Sequence, residues 1–268
     1  MKKLLKLSVA FATALALTAC GSSSDDEKTI TVGATAVPHA QILNDVVKDV
    51  LEEDGWTLDV VEFTDYVQPN KSLEDGELDA NYFQTLAYME EVNKENDWHL
   101  KEVQGIHYEA MGLYSKDLKS LSDLKNGSEI LIPNDGSNED RALKLLAEAG
   151  LINYTSNVSD PESGITGYNV QIKLTPLAAE EIANHLEDAD GLVVNGNYAL
   201  EAKLNDKANV LTSEEFTDEE AAPYINYVVV KEGNENSKKT KALIKAITSD
   251  QVKGYISKTY GKAVVATF

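Results

Sequence analysis

Arg141 is the sole arginine among 24 basic side chains, and it stands inside "PNDGSNEDRALKLL". A guanidinium presents a planar fork that can hold a carboxylate through two parallel N–H bonds, which a lysine ammonium cannot do. Pro133, Asn134, Asp135 and Gly136 favour a turn. Ser137 and Asp140 are spaced like a capping box, and Ala142, Leu145, Leu146 and Ala149 recur as the apolar stripe of a helix that Gly150 would end. This reading puts Arg141 in the first turn, beside unpaired N–H groups and the positive end of the helix dipole. A cation is misplaced there unless a carboxylate joins it. The carboxylate could belong to a ligand, or to Glu139 or Asp140 on the protein surface.

Two amides and a set of aromatic rings are further candidates. Asn195 ends the apolar run "GLVVN", and Asn197 can cap the helix after it. Asn226 interrupts the apolar strand "PYINYVVV", with Tyr224 two residues earlier on the same face. An amide donates and accepts, so it suits both ends of an amino acid. Turn and capping chemistry would equally account for each asparagine. Tyr66 follows a strand in "FTDYVQPN", and Tyr82, Phe83 and Tyr88 cluster in "NYFQTLAYM". Their faces could wall an apolar side chain or pack in a core.

The elements that must position these residues alternate. "TITVGATAV", "TLDVVEF", "DANYFQ", "SEILIPND", "YNVQIKL", "GLVVNG" and "PYINYVVVKEG" read as strands. "HAQILNDVVKDVLEEDG", "NKSLEDGEL", "LAYMEEVNKEND", the Arg141 segment, "AAEEIANHLEDA", "NYALEAKL" and the final "SKKTKALIKAITSDQVKGYISKTYG" read as helices. The rhythm predicts an α/β fold with mostly parallel sheets covered by helices. "HLKEVQGIHYEAMGLYS" is too long for one ordinary strand and is expected to pass from one lobe to another, with "PYINYVVVKEG" returning. Two lobes with two crossings imply a hinged cleft. The expected division is 30–109 plus 226–268 for the first lobe and 110–225 for the second.

The chain opens with Lys2, Lys3 and Lys6, then an apolar run from Leu7 to Ala19, too short for the roughly 20 residues that span a bilayer. Residues 1–19 are expected to be a signal peptide. "LTAC" followed by "GSSS" resembles the bacterial lipobox, which makes Cys20 the expected lipid attachment point, with residues 20–29 as anchor and flexible tether. Cys20 is the only cysteine, so no disulfide can form within the chain. The formal charge of −21 becomes more negative once the three lysines leave, and such a surface repels nucleic acid. No G-x-S-x-G or H-E-x-x-H occurs, and catalysis is not expected. His39, His99, His107 and His185 are scattered without ligand spacing, so neither metal nor cofactor is expected.

Six segments together resemble the methionine-binding lipoproteins of bacterial ABC importers, the NlpA-type lipoproteins. They are "VGATAVPHAQIL", "FTDYVQPN", "LDANYFQ", "IPNDGSN" with Arg141, "VVNGNYALEA" and "PYINYVVV", in the family's order. The resemblance implies a two-lobed, periplasmic-binding-protein-like fold of type II character, holding a methionine-like amino acid. By motif, Arg141 would clamp its carboxylate, Asn195 and Asn226 would bind its polar groups with Tyr224 nearby, and Tyr66, Phe83 and Tyr88 would line its side-chain pocket. A permease and an ATPase are the implied partners of a monomer anchored on the outer side of the cytoplasmic membrane. The family carries His and Pro where this chain has Thr85 and Ala87. That departure leaves open a different amino acid or a methionine-containing dipeptide. A surface lipoprotein that carries no cargo is a reading of another class.

Overall fold

The computed structural model describes residues 28–215 and 218–268, the side chains of 218 and 219 excepted. The expected signal peptide, Cys20 and most of the tether lie outside the described residues. The first half of the chain contains β1 (Thr29–Thr35), α1 (Lys48–Glu53), β2 (Thr57–Phe63), α2 (Gln68–Glu74), β3 (Ala80–Thr85), α3 (Leu86–Asn96) and β4 (Leu100–Tyr108). Then come β5 (Gly112–Ser115), β6 (Glu129–Pro133), α4 (Gly136–Glu148), β7 (Ile152–Tyr154), β8 (Ile165–Tyr168), β9 (Lys173–Leu177), α5 (Ala179–Ile182) and β10 (Gly191–Val194). The chain ends with α6 (Gly196–Glu201), α7 (Leu204–Lys207), β11 (Asn209–Ser213), α8 (Asp218–Ala221), β12 (Ile225–Lys231), α9 (Lys238–Ile247), α10 (Asp250–Tyr260) and β13 (Val265–Ala266).

Two sheets organise these elements. The first has the order β13-β4-β12-β3-β1-β2 and the second β11-β5-β10-β6-β9, with β7 and β8 forming a separate ribbon. Each sheet has a parallel side, β3-β1-β2 in one and β10-β6-β9 in the other, ending in the edge strands β2 and β9. The expectation of mostly parallel sheets needs correction, because β12 runs antiparallel to both β3 and β4, and β5 antiparallel to β10 and β11. These strands return directly from the other sheet, so no helical crossover sets them parallel. The long "HLKEVQGIHYEAMGLYS" segment changes sheet at residues 109–111, and the chain returns between β11 and β12.

The expected "YNVQIKL" strand does not form as one unit. β8 ends at Tyr168, and Asn169 and Val170 give their N–H groups to Leu151 O instead of a ladder. β9 begins only at Lys173 and contains Pro176, which is tolerated because β9 is the edge of its sheet. Buried strands such as "GLVV" of β10 carry no polar alternation because helices cover both faces. In α4, Leu143, Leu145 and Leu146 are at most 2% exposed. Each such side chain contributes roughly 1.5–3 kcal/mol by leaving water. Asp135 caps α4, its side chain accepting from Asn138 N, so the Ser137–Asp140 box is not what starts the helix. Arg141 therefore lies in the second turn, not the first. Among the described residues no helix is long and apolar enough to cross a membrane.

Candidate functional site

A small cavity lies between the two sheets, beyond the carboxyl ends of β2, β3, β6 and β10. This is where open α/β sheets receive ligands. Its lining joins Tyr66, Phe83, Gln84, Thr85 and Tyr88 to Glu109, Asn138, Arg141, Asn195, Gly196, Asn197 and Asn226.

The first sheet supplies an aromatic wall. Ring centroids of Tyr66 lie 5.8 Å from Phe83, 5.7 Å from Tyr88 and 5.0 Å from Tyr198, which comes across from α6. Thr85 ends β3 and caps α3, its hydroxyl accepting from Tyr88 N at 3.3 Å. Behind this wall Gln84 is locked by Asn70 and Asn81 through side-chain hydrogen bonds of 2.6–2.9 Å. Ala87 does not line this cavity; it faces a separate groove with Glu90 and Lys94.

The second sheet supplies amides at two helix starts. Asn195 donates to Asn138 Oδ1 at 2.7 Å, and Asn138 donates to Asp135 Oδ1 at 2.7 Å. This relay fixes the Asn195 amide and leaves its Oδ1 buried without a partner. Tyr66 OH donates to Asn197 Oδ1 at 2.6 Å, and Asn197 Nδ2 is likewise buried without a partner. Asn197 was expected to cap α6. It instead sits inside that helix, bridging to the aromatic wall.

Arg141 lines the cavity but is not a free fork. Its Nε and Nη2 donate to the two oxygens of Glu214 at 2.7 and 2.6 Å, and Nη2 also donates to Glu109 O at 2.9 Å. Glu214 accepts in turn from Met111 N at 2.7 Å. The arginine thus ties together both crossings between the sheets. The parallel pair of N–H bonds expected for a ligand is made to an internal carboxylate, and neither Glu139 nor Asp140 is its partner. Tyr224 also needs correction. It ends a 3-10 turn (Ala222–Tyr224) and not a strand, and its ring lies 4.4 Å under the Arg141 guanidinium, outside the cavity lining. The helical turn rotates it off the face that carries Asn226.

The histidines are scattered along the sequence, yet the fold gathers two of them. His39 and His107 meet Glu109, all three buried. His107 Nε2 lies 2.5 Å and His39 Nε2 3.6 Å from Glu109 Oε1. His39 Nε2 also donates to Asn226 Oδ1 at 3.0 Å, while its Nδ1 accepts from the Thr35 hydroxyl at 2.9 Å. Burial pushes the Glu109 carboxyl up to about 7, against the pull of His39 and Arg141. Burial also lowers His39 to about 4 and His107 to about 3. Two donors held about 2.1 Å from a tetrahedral cation would stand roughly 3.4 Å apart. The 2.5 Å between His107 and Glu109 is the spacing of a hydrogen bond.

Sequence reasoning passed over Glu109, Glu214, Asn138 and Gln84. A signal existed for the two acids, since each sits where the chain leaves one sheet for the other.

A two-lobed α/β protein with a polar and aromatic cavity between its lobes is a ligand-binding protein of the periplasmic-binding type. Residues 30–268 match the profile of the NlpA lipoproteins, and the chain belongs to that family. It is 36% identical to the methionine-binding lipoprotein MetQ of Bacillus subtilis, over 99% of this chain and 98% of that one. A solved lipoprotein from Ruminococcus gnavus superposes with a TM-score of 0.85 at 42% identity, covering 90% of this chain and all of that one. A nutrient-binding protein from Burkholderia cenocepacia, solved bound to methionine, superposes with a TM-score of 0.83 at 35% identity, covering 89% of this chain and all of that one.

Proposed function

We propose that this chain captures methionine outside the cytoplasmic membrane and delivers it to the permease and ATPase of an ABC importer. The observation that carries the reading is a buried acceptor and a buried donor without partners, Asn195 Oδ1 and Asn197 Nδ2, opposite an aromatic wall in one cavity. An α-amino acid offers the complementary pair. Its ammonium would donate to Asn195 Oδ1, and its carboxylate would accept from Asn197 Nδ2. Arg141 would add positive charge through Nη1, the nitrogen that Glu214 does not use. Tyr66, Phe83 and Tyr88 would enclose the side chain, and a thioether packs well at aromatic edges. The methionine in the Burkholderia neighbour and the name of the Bacillus relative support the same cargo.

In this reading residues 30–109 with 226–268 form one lobe and 110–225 the other, and the lobes close on the ligand. Cys20 carries the lipid that holds a monomer at the membrane, and the protein binds without catalysing. Calorimetric titration tests the cargo. The chain from Gly21 onward, stripped by unfolding and refolding, is expected to bind L-methionine with submicromolar affinity. Absence of heat from a refolded sample would overturn the methionine assignment.

A further inference from the structure

Glu109 has no part in the binding scheme above, although it lines the cavity and is 4% exposed. Gly196 lies between the two amides that each keep one atom without a partner, and a Cβ built on it would fall 2.5 Å from Glu109 Cβ and 2.9 Å from Oε2. Glycine is needed there for close approach. The carboxyl therefore sits directly against the segment whose Asn195 Oδ1 awaits a donor. Its other oxygen, Oε1, faces His107 at 2.5 Å and His39 at 3.6 Å. The remaining nitrogen of each imidazole is already held, by Tyr82 OH in one case and by Thr35 Oγ1 in the other. Arg141 hydrogen-bonds Glu109 only at its backbone oxygen, because the Nε and Nη2 edge belongs to Glu214, and its charge reaches the carboxyl without a direct contact.

We propose that Glu109 is the counter-ion of the ligand's ammonium group and enters the complex by giving up a proton, so that capture of the amino acid releases a proton to solvent. This rests on the amino-acid reading of the cavity. The reaction balances: the neutral carboxyl and the ammonium ligand become a carboxylate–ammonium pair and one proton. A buried carboxyl without a cation stays protonated near neutral pH, and a cation placed beside it favours the charged form. The other groups facing Glu109 do not titrate between pH 5 and 8. Burial holds both histidines neutral there. Arg141 stays charged. Burial keeps Tyr66, Tyr82, Tyr108 and Tyr260 protonated. Affinity should therefore rise about tenfold per pH unit below pH 7, where one proton leaves per ligand, and level off above it.

The full chain in detergent is titrated with L-methionine at pH 6 and pH 8.5, each in two buffers of different ionisation enthalpy. The expected result is close to one proton released per methionine at pH 6 and none at pH 8.5. Glu109→Gln should abolish the release, weaken binding and remove its pH dependence. Equal heats in both buffers at pH 6, with methionine bound, would overturn the proposal and leave the cargo assignment intact. Undiminished affinity in Glu109→Gln would do the same. No binding at any pH by a folded chain would overturn the amino-acid reading and this inference with it. Should the variant not fold, the buffer comparison on the native chain still decides.

Discussion

The two walls of the cavity are finished to different degrees. On the first sheet the polar groups behind Tyr66, Phe83 and Tyr88 satisfy one another, as Gln84 does with Asn70 and Asn81. On the second, Asn195 and Asn197 each keep one buried polar atom without a partner. Such an atom costs about 1–3 kcal/mol until something bonds to it. The contrast separates two kinds of selectivity. A complete aromatic wall discriminates by shape, whereas an incomplete amide wall is completed by a ligand with the right donors and acceptors. In the proposed function the side chain is read by the first wall and the amino-acid head by the second.

The sharpest way to break this comparison is at the point that joins the walls. Arg141→Ala would strand Glu214 beside the crossings and free the Glu109 carbonyl. Removing one partner of a buried pair costs about 3–5 kcal/mol, so urea unfolding should show a loss of that order together with loss of methionine binding. A loss below about 1 kcal/mol would mean the arginine does not hold the crossings.

The buried network of the first wall predicts the next effect. His39 and His107 have folded values of about 4 and about 3, below the ordinary 6.5, so the unfolded chain takes up their protons first as pH falls. Their contribution is complete above pH 6.5 and is lost toward pH 4. Glu109, raised to about 7, has the opposite sign: it favours folding at low pH and ceases to as pH rises through 7. Between pH 4.5 and 6.5 two histidines against one carboxyl leave a net difference of about one proton. Their combined effect is a loss of stability of about 1.4 kcal/mol per pH unit on acidification. Glu109→Gln should steepen the slope toward two protons, checked by urea midpoints across that window. An unchanged slope would show that Glu109 does not offset the histidines.

Two smaller changes sharpen the contrast. Asn197→Ala should weaken methionine binding by roughly 10- to 100-fold, the cost of losing one buried donor. Tyr66→Phe removes the hydrogen bond to the same asparagine but leaves Nδ2 in place. It should weaken binding only a few-fold, as expected for a neutral hydrogen bond. Equal losses in the two titrations would show that the amide is needed for joining the walls and not for the ligand.

Much of this molecule is legible in one dimension. The α4 stripe, the Gly150 stop, the apolar strands β6 and β10 and the break in "HLKEVQGIHYEAMGLYS" all follow from periodicity and turn chemistry, which act over a few residues. Tyr66, Phe83, Tyr88, Arg141, Asn195 and Asn226 could be named as candidates from residue type and position in their elements, and Thr85 only from the family resemblance. What each of them touches could not be read that way. Arg141 meets Glu214 73 positions away, Asn195 meets Asn138 57 away, and His39 meets Asn226 187 away. Such pairs depend on which sheet edges meet and on how the two crossings fold back, and no local pattern encodes that. The tertiary structure alone decided that the single arginine is bound to an internal acid, that two distant histidines share a carboxyl, and that one wall of the cavity is complete while the other waits for a ligand. Burial is the reason: it makes each unpaired polar atom costly, and only the folded chain determines which atoms are buried.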